Sequence, residues 1–190
     1  MVGTECFSTP TVMNSTCGAG NVTNIAGLNS YVTGSPLSAL VILFMSDLAD
    51  KVAAKGGYRV VCPDVFNGDP FDRNNTTRPV AVWLKDHAPE KGFETVKPVI
   101  EALKKEGATA IGAAGFCWGA RTVTDLGKAK SIQVSVLLHP TYVKVDDVRG
   151  VKVPIALLVG QNDSVTPPKL MEQFKQVLDA KPEMVGMSWN

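Results

Sequence analysis

The sequence predicts an α/β fold, a three-layer sandwich with a mostly parallel central sheet. Almost wholly apolar runs such as "ALVILFM" (39–45) and "KVPIALLVG" (152–160) have the length of strands and no polar alternation, which suits strands buried on both faces. Segments with helical spacing, among them "FETVKPVIEALKKEG" and "PPKLMEQFKQVLDAK", alternate with these runs, and strand–helix alternation produces a parallel sheet covered on two sides. At 190 residues with 45% hydrophobic content, a single domain over 1–190 has enough apolar side chain for one core.

Taken in order, residues 1–37 are rich in Gly, Ser, Thr, Asn and Pro and read as an extended lead-in, with room for a short strand pair near "LNSYVTG". The first buried strand is 39–45, and "DLADKVAAKGG" after it has helical spacing and a Gly pair as its stop. "YRVVCPD" (58–64) is the next strand. A loop-rich region follows, with a short amphipathic piece at "PVAVWLKDH". The helix "FETVKPVIEALKKEG", the strand "ATAIGAAG", a helix from Gly119 to about Lys128, the strands "IQVSVLLHP" and "KVPIALLVG", and the helix "PPKLMEQFKQVLDAK" complete the pattern. In such sheets ligands bind at the carboxyl ends of the strands. Asp47, Asp64, Cys117, His139 and Asp163 all fall there.

Composition narrows the function. Lys and Arg number 19 against 18 Asp and Glu, without a run of one sign, so neither nucleic acid nor an anionic membrane is an expected partner. Apolar runs such as 40–45 are far short of the roughly 20 residues that span a bilayer. The first residues carry neither the basic nor the apolar region of a secretory signal, and the expectation is a cytoplasmic protein. Cys6, Cys17, Cys62 and Cys117 are widely spaced, and with only His87 and His139 as partners no metal site is expected. His87, in "KDHAPEKG", reads as a surface loop residue.

The sharpest signal is "GFCWG" (115–119), the nucleophile elbow G-x-S-x-G with cysteine in place of serine, placed between a strand and a helix as that motif requires. The bend is so tight that side chains at either glycine would strike neighbouring backbone. A helix starting just after Cys117 aims its amide N–H groups at the sulfur and favours thiolate over thiol. The same geometry makes the Trp118 N–H a candidate oxyanion donor. Gly112, Gly115 and Gly119 do not form G-x-G-x-x-G, which removes a dinucleotide loop from consideration. In elbow enzymes an acid follows the nucleophile in the chain and a histidine follows the acid. Asp163 in "LLVGQNDSVTPP" fits the acid, although a turn or helix-capping aspartate would look the same. No histidine follows it.

Together, "AAGFCWGA", "LLHP", "KVPIALLVG" with its D-x-x-x-P-P, and "LADKVAA" ahead of "RVVCPDVFNGDPF" resemble the dienelactone hydrolase family of α/β-hydrolases, closest to plant members labelled endo-1,3;1,4-beta-D-glucanase. The resemblance implies a small-molecule carboxylic ester or lactone substrate, no cofactor, Cys117 as nucleophile, Asp163 as triad acid, and Asp47 where the family keeps an acidic residue near the thiol. Phe66, Phe116, Trp118, Tyr142 and Arg78 are expected as pocket walls, with Arg78 the cationic one and His139 beside them. It leaves the oligomeric state open. Two departures stand out. The family's last strand, its loop with the catalytic histidine and its closing helix are expected to be missing after "VLDAKPE", and "SDLADK" lacks the loop that donates a second oxyanion N–H. The expectation is therefore a competent thiol with impaired turnover. His139 can replace the lost base only if its ring comes within bonding distance of the sulfur. The alternative is a non-catalytic ligand binder or redox-responsive thiol protein on the same fold.

Overall fold

The computed structural model describes residues 19–45, 56–72, 74–160, 163, 165–181 and 185–189, the last five by backbone alone. Its centre is an eight-stranded sheet in the order β1-β2-β4-β3-β5-β6-β7-β8, with β1 Asn21–Ile25, β2 Leu28–Gly34, β3 Leu40–Met45, β4 Arg59–Pro63, β5 Ala110–Cys117, β6 Val134–Pro140, β7 Ile155–Val159 and β8 Val185–Trp189. From β4 through β8 every pairing is parallel, whereas β1 and β2 form an antiparallel edge.

The strands read as buried apolar runs are strands, with β3, β5 and β6 at the middle of the sheet. The strand pair expected near "LNSYVTG" is the β1–β2 hairpin, which extends the sheet by pairing β2 with β4 in the register Val32 to Val61. One expectation needs correction. The strand after "VLDAKPE", expected to be missing, is β8, which pairs with β7 from Ile155↔Val185 to Val159↔Trp189. Its Gly and Ser break the apolar run that marks the other strands, and backbone pairing with β7 supplies what side-chain pattern does not. Of the predicted helix at "DLADKVAAKGG", residues 47–55, with Asp47, lie outside the described residues.

The helices are α1 Val80–Asp86, α2 Gly92–Lys105, α3 Trp118–Lys128, α4 Val145–Gly150 and α5 Pro168–Asp179. Val96, Val99, Ile100 and Leu103 form the buried stripe of α2, at the i, i+3, i+4, i+7 spacing of an amphipathic helix. With Val123 and Leu126 of α3 and Met171, Phe174 and Leu178 of α5 they build the main core on one sheet face. A smaller cluster of Phe44, Val60, Cys62 and Ala114, with Tyr31 and Tyr58 against it, occupies the other. Phe174 is completely buried. Phe174→Ala should therefore lower unfolding stability by about 3–5 kcal/mol, read as a lower midpoint in urea.

Asp147, the third residue of the short α4, is a buried ionic junction. Its carboxylate contacts Lys128 Nζ at 3.0 Å and Arg121 at 3.4 Å, and accepts from the Lys144 N–H at 3.0 Å. Burial would raise its pKa. The Lys128 and Lys144 hydrogen bonds, with the charges of Arg121 and Lys128, outweigh burial and hold it below the ordinary 3.8. A lowered carboxyl pKa stabilises the fold above the unfolded-state value and loses that contribution as pH falls through the folded value. Asp147→Asn should cost about 1–3 kcal/mol at pH 7. The gap to the unsubstituted chain should close as urea melts are repeated below about pH 4.

Candidate active site

The strand-to-helix turn at the end of β5 is a strained elbow. Cys117 has φ 45° and ψ −112°, in the left-handed half of the map that side chains other than glycine's rarely enter. Its flanking glycines explain how the bend closes. A Cβ on Gly115 would lie 2.5 Å from the Gly119 carbonyl oxygen and 2.8 Å from the Ala120 nitrogen, and one on Gly119 would lie 2.6 Å from Met45 Cβ at the end of β3. Trp118 is the first residue of α3, so its N–H belongs to the set with no acceptor inside the helix. It belongs to the residue that follows Cys117 directly.

The sheet then brings His139 to Cys117. Phe116 pairs with Leu138 but Cys117 pairs with Pro140, so His139 is one extra residue on β6, a β-bulge. Its φ of 48° is again left-handed. A bulge of this kind re-aims the side chain it carries, and the imidazole Nδ1 sits 3.5 Å from Cys117 Sγ, a bonding distance for the large sulfur atom. The Cys117 carbonyl accepts from the Thr141 N–H at 3.2 Å, which pins the chain just beyond the bulge.

Asp163 completes the group from the loop after β7. Its Oδ1 accepts the N–H groups of Val165 and Thr166 at 2.8 and 2.9 Å, the turn-forming role an aspartate takes before a helix. Its Oδ2 is buried 3.0 Å from His139 Nε2. The Thr166 hydroxyl donates to the Pro140 carbonyl, tying this loop to the end of β6. Sulfur, imidazole and carboxylate thus come together at the carboxyl ends of three adjacent strands.

Aromatic side chains surround the elbow. Phe66 meets Trp118 edge-on at 4.8 Å and Trp83 at 5.0 Å. The His87 ring stacks on Trp83 at 4.4 Å and 8°, and its carbonyl accepts from Trp118 Nε1 at 2.8 Å. His87 is accordingly a packed residue at the end of α1 and not the surface residue expected from its polar neighbours. Trp83, its stacking partner, carried no sequence signal beyond its place on an amphipathic segment. Tyr142, just past the bulge, has its phenol held above the ordinary range by burial and by the negative charge of Cys117. Phe116 is half-buried on β5. Arg78 is held by Asp69 and Asp86 at 2.7 and 3.0 Å, so its charge is already matched. Among the described residues no three His, Cys, Asp or Glu side chains gather as a metal site would require, and no helix is long and apolar enough to cross a membrane.

A nucleophile elbow after the central strand of a largely parallel, helix-covered sheet defines the α/β-hydrolase class. The dienelactone hydrolase family model matches residues 40–189, and the chain belongs to that family. It is 40% identical over 171 residues to the endo-1,3;1,4-beta-D-glucanase of Zea mays, covering 83% of this chain and 54% of that protein. It is 28% identical to the carboxymethylenebutenolidase homolog of Mus musculus over 85% of this chain and 71% of that one. The chain thus spans about half the length of the maize relative. Among solved structures, an esterase of Pyrococcus furiosus superposes with a TM-score of 0.71 at 15% identity, covering 96% of this chain and 86% of its own, which speaks for the fold.

Proposed function

We propose that this protein hydrolyses carboxylic ester or lactone bonds through the Cys117 thiolate. The observation that carries the reading is the elbow itself, a cysteine held at φ 45° with its sulfur against an imidazole and the start of a helix. Backbone strain of this size persists only where its surroundings enforce it, and it concentrates at reacting groups. In the first half-reaction the sulfur adds to the carbonyl carbon and the Trp118 N–H receives the oxyanion. The carbon–oxygen bond then breaks and the alcohol departs, or the lactone ring opens. Water afterwards cleaves the thioester. We place the slow step there, because water must be activated before it can attack the thioester.

The aromatic surroundings of Phe66, Trp118 and Tyr142 favour an apolar, planar substrate portion, and Arg78 has its own carboxylate partners. Glycosidic cleavage needs two carboxylates facing across the bond, about 5–10 Å apart. The carboxylate at this elbow, Asp163, is turned to two backbone N–H groups and an imidazole, so the ester reading is the better fit. The testing experiment mixes the purified chain with p-nitrophenyl acetate and, separately, with dihydrocoumarin. A burst of one acyl group per chain followed by slower turnover is expected. Hydrolysis unaffected by Cys117→Ser would overturn the proposal, and peroxide-driven sulfenic acid at Cys117 without any acylation would favour a redox thiol instead.

A further inference from the structure

We propose that His139, delivered by the bulge in β6, is the general base for Cys117, with its two ring nitrogens used in the reverse of the order usual in hydrolase triads. This rests on the reading of Cys117 as the nucleophile. In the usual arrangement Nε2 faces the nucleophile and Nδ1 faces the acid. Here Nδ1 lies 3.5 Å from Cys117 Sγ and Nε2 lies 3.0 Å from Asp163 Oδ2. The reversal follows from where the histidine comes from. It stands on the strand beside β5, so its short Nδ1 side reaches the sulfur while the far side of the ring reaches across to the loop after β7.

Three independent features converge on this assignment. The bulge places one residue more on β6 than on β5 at the reacting end of the sheet. That residue adopts a left-handed backbone conformation, and the turn presents its ring to the sulfur instead of along the regular pleat. The side chain of Asp163 is 1% exposed, so its carboxylate is a costly charge to bury unless a proton donor such as Nε2–H faces it. His139 keeps 27% of its side chain exposed, leaving room for substrate and water beside it.

Neutral His139 carries its proton on Nε2, toward Asp163. Nδ1 takes the proton from the Cys117 thiol as the carbon–sulfur bond forms and the carbonyl electron pair moves to oxygen. Collapse of that intermediate breaks the carbon–oxygen bond, and the departing alkoxide takes the proton back from Nδ1. In the second half Nδ1 accepts a proton from water as its oxygen bonds to the thioester carbon. The carbon–sulfur bond breaks and the leaving thiolate recovers that proton. One water is consumed for each ester or lactone bond cleaved.

Two measurements test the assignment. Because His87 and His139 are the two histidines of the chain, long-range ¹H–¹⁵N correlation spectra of the labelled protein, assigned with His87→Gln, report the His139 tautomer directly. A proton on Nε2 is expected, whether or not Nδ1 also holds the proton of the sulfur. A neutral ring protonated on Nδ1 alone would overturn the proposal. The second measurement is iodoacetamide alkylation of Cys117 at pH 7, followed by peptide mass spectrometry. His139→Gln should slow it about tenfold and Asp163→Asn by less, and thioester hydrolysis should slow by about a hundredfold in His139→Gln. Equal alkylation rates in a His139→Gln variant of native circular dichroism would overturn the proposal. Alkylation needs no ester, so His139-dependent alkylation in a chain that esters never acylate would sink the hydrolase reading and keep the base. Equal ester acylation of Cys117 with and without His139 would do the opposite. The wild-type tautomer decides the matter even if the variants fail to fold.

Discussion

Cys117→Ala should abolish burst and turnover together, lowering ester hydrolysis by at least about a thousandfold. Removing the nucleophile of a hydrolase of this kind leaves only binding and oxyanion stabilisation. Fold stability should change little, since the substitution removes one half-exposed sulfur and leaves the glycines and the helix behind it untouched. Cys117→Ser should be nearly as inactive, because the longer reach of sulfur is what lets Nδ1 bond it at 3.5 Å. The check is steady-state hydrolysis of p-nitrophenyl acetate beside a urea melt of each variant.

Gly115→Val should be more disruptive to the protein as a whole. Even the first carbon of the new side chain would lie 2.5–2.8 Å from backbone atoms of Gly119 and Ala120, which cannot swing aside as a side chain does. The start of α3 would have to lift from β5, and α3 also packs on β6 and carries Val123 and Leu126 into the core. Overpacking with backbone movement costs about 3 kcal/mol or more. The same displacement should move the Trp118 N–H away from the oxyanion position and cut acylation by about a hundredfold in whatever fraction remains folded. Urea denaturation and acylation rate per folded chain separate the two effects.

The parallel centre of the sheet and the helices were readable because β3, β5, β6 and β7 are apolar runs without polar alternation and α2, α3 and α5 carry regular apolar stripes. The elbow was readable because two glycines at a fixed spacing are a steric requirement written directly into the chain. What the sequence hid was register. A bulge at His139 is a one-residue offset between two strands, and nothing in "VSVLLHP" marks it, since the residue in a left-handed conformation there is a histidine and not a glycine. The approach of His139 to Cys117 therefore depends on pairing between segments some twenty residues apart. β8 was obscured for a related reason. That edge of the sheet gains its order from backbone pairing with β7, while its own residues are mixed in polarity. The stacking of His87 on Trp83 was likewise a tertiary fact, invisible in a polar stretch of sequence.

The central claim is that Cys117 carries the acyl group of the substrate. Intact-mass spectrometry of the chain, quenched in acid within seconds of mixing with p-nitrophenyl acetate and followed by peptide mapping, measures this directly. A mass increase of a single acetyl group, mapped to the peptide containing Cys117 and decaying over further turnover, is the predicted result. Rapid ester hydrolysis with Cys117 unmodified at every quench time and the acetyl group on other side chains would contradict it.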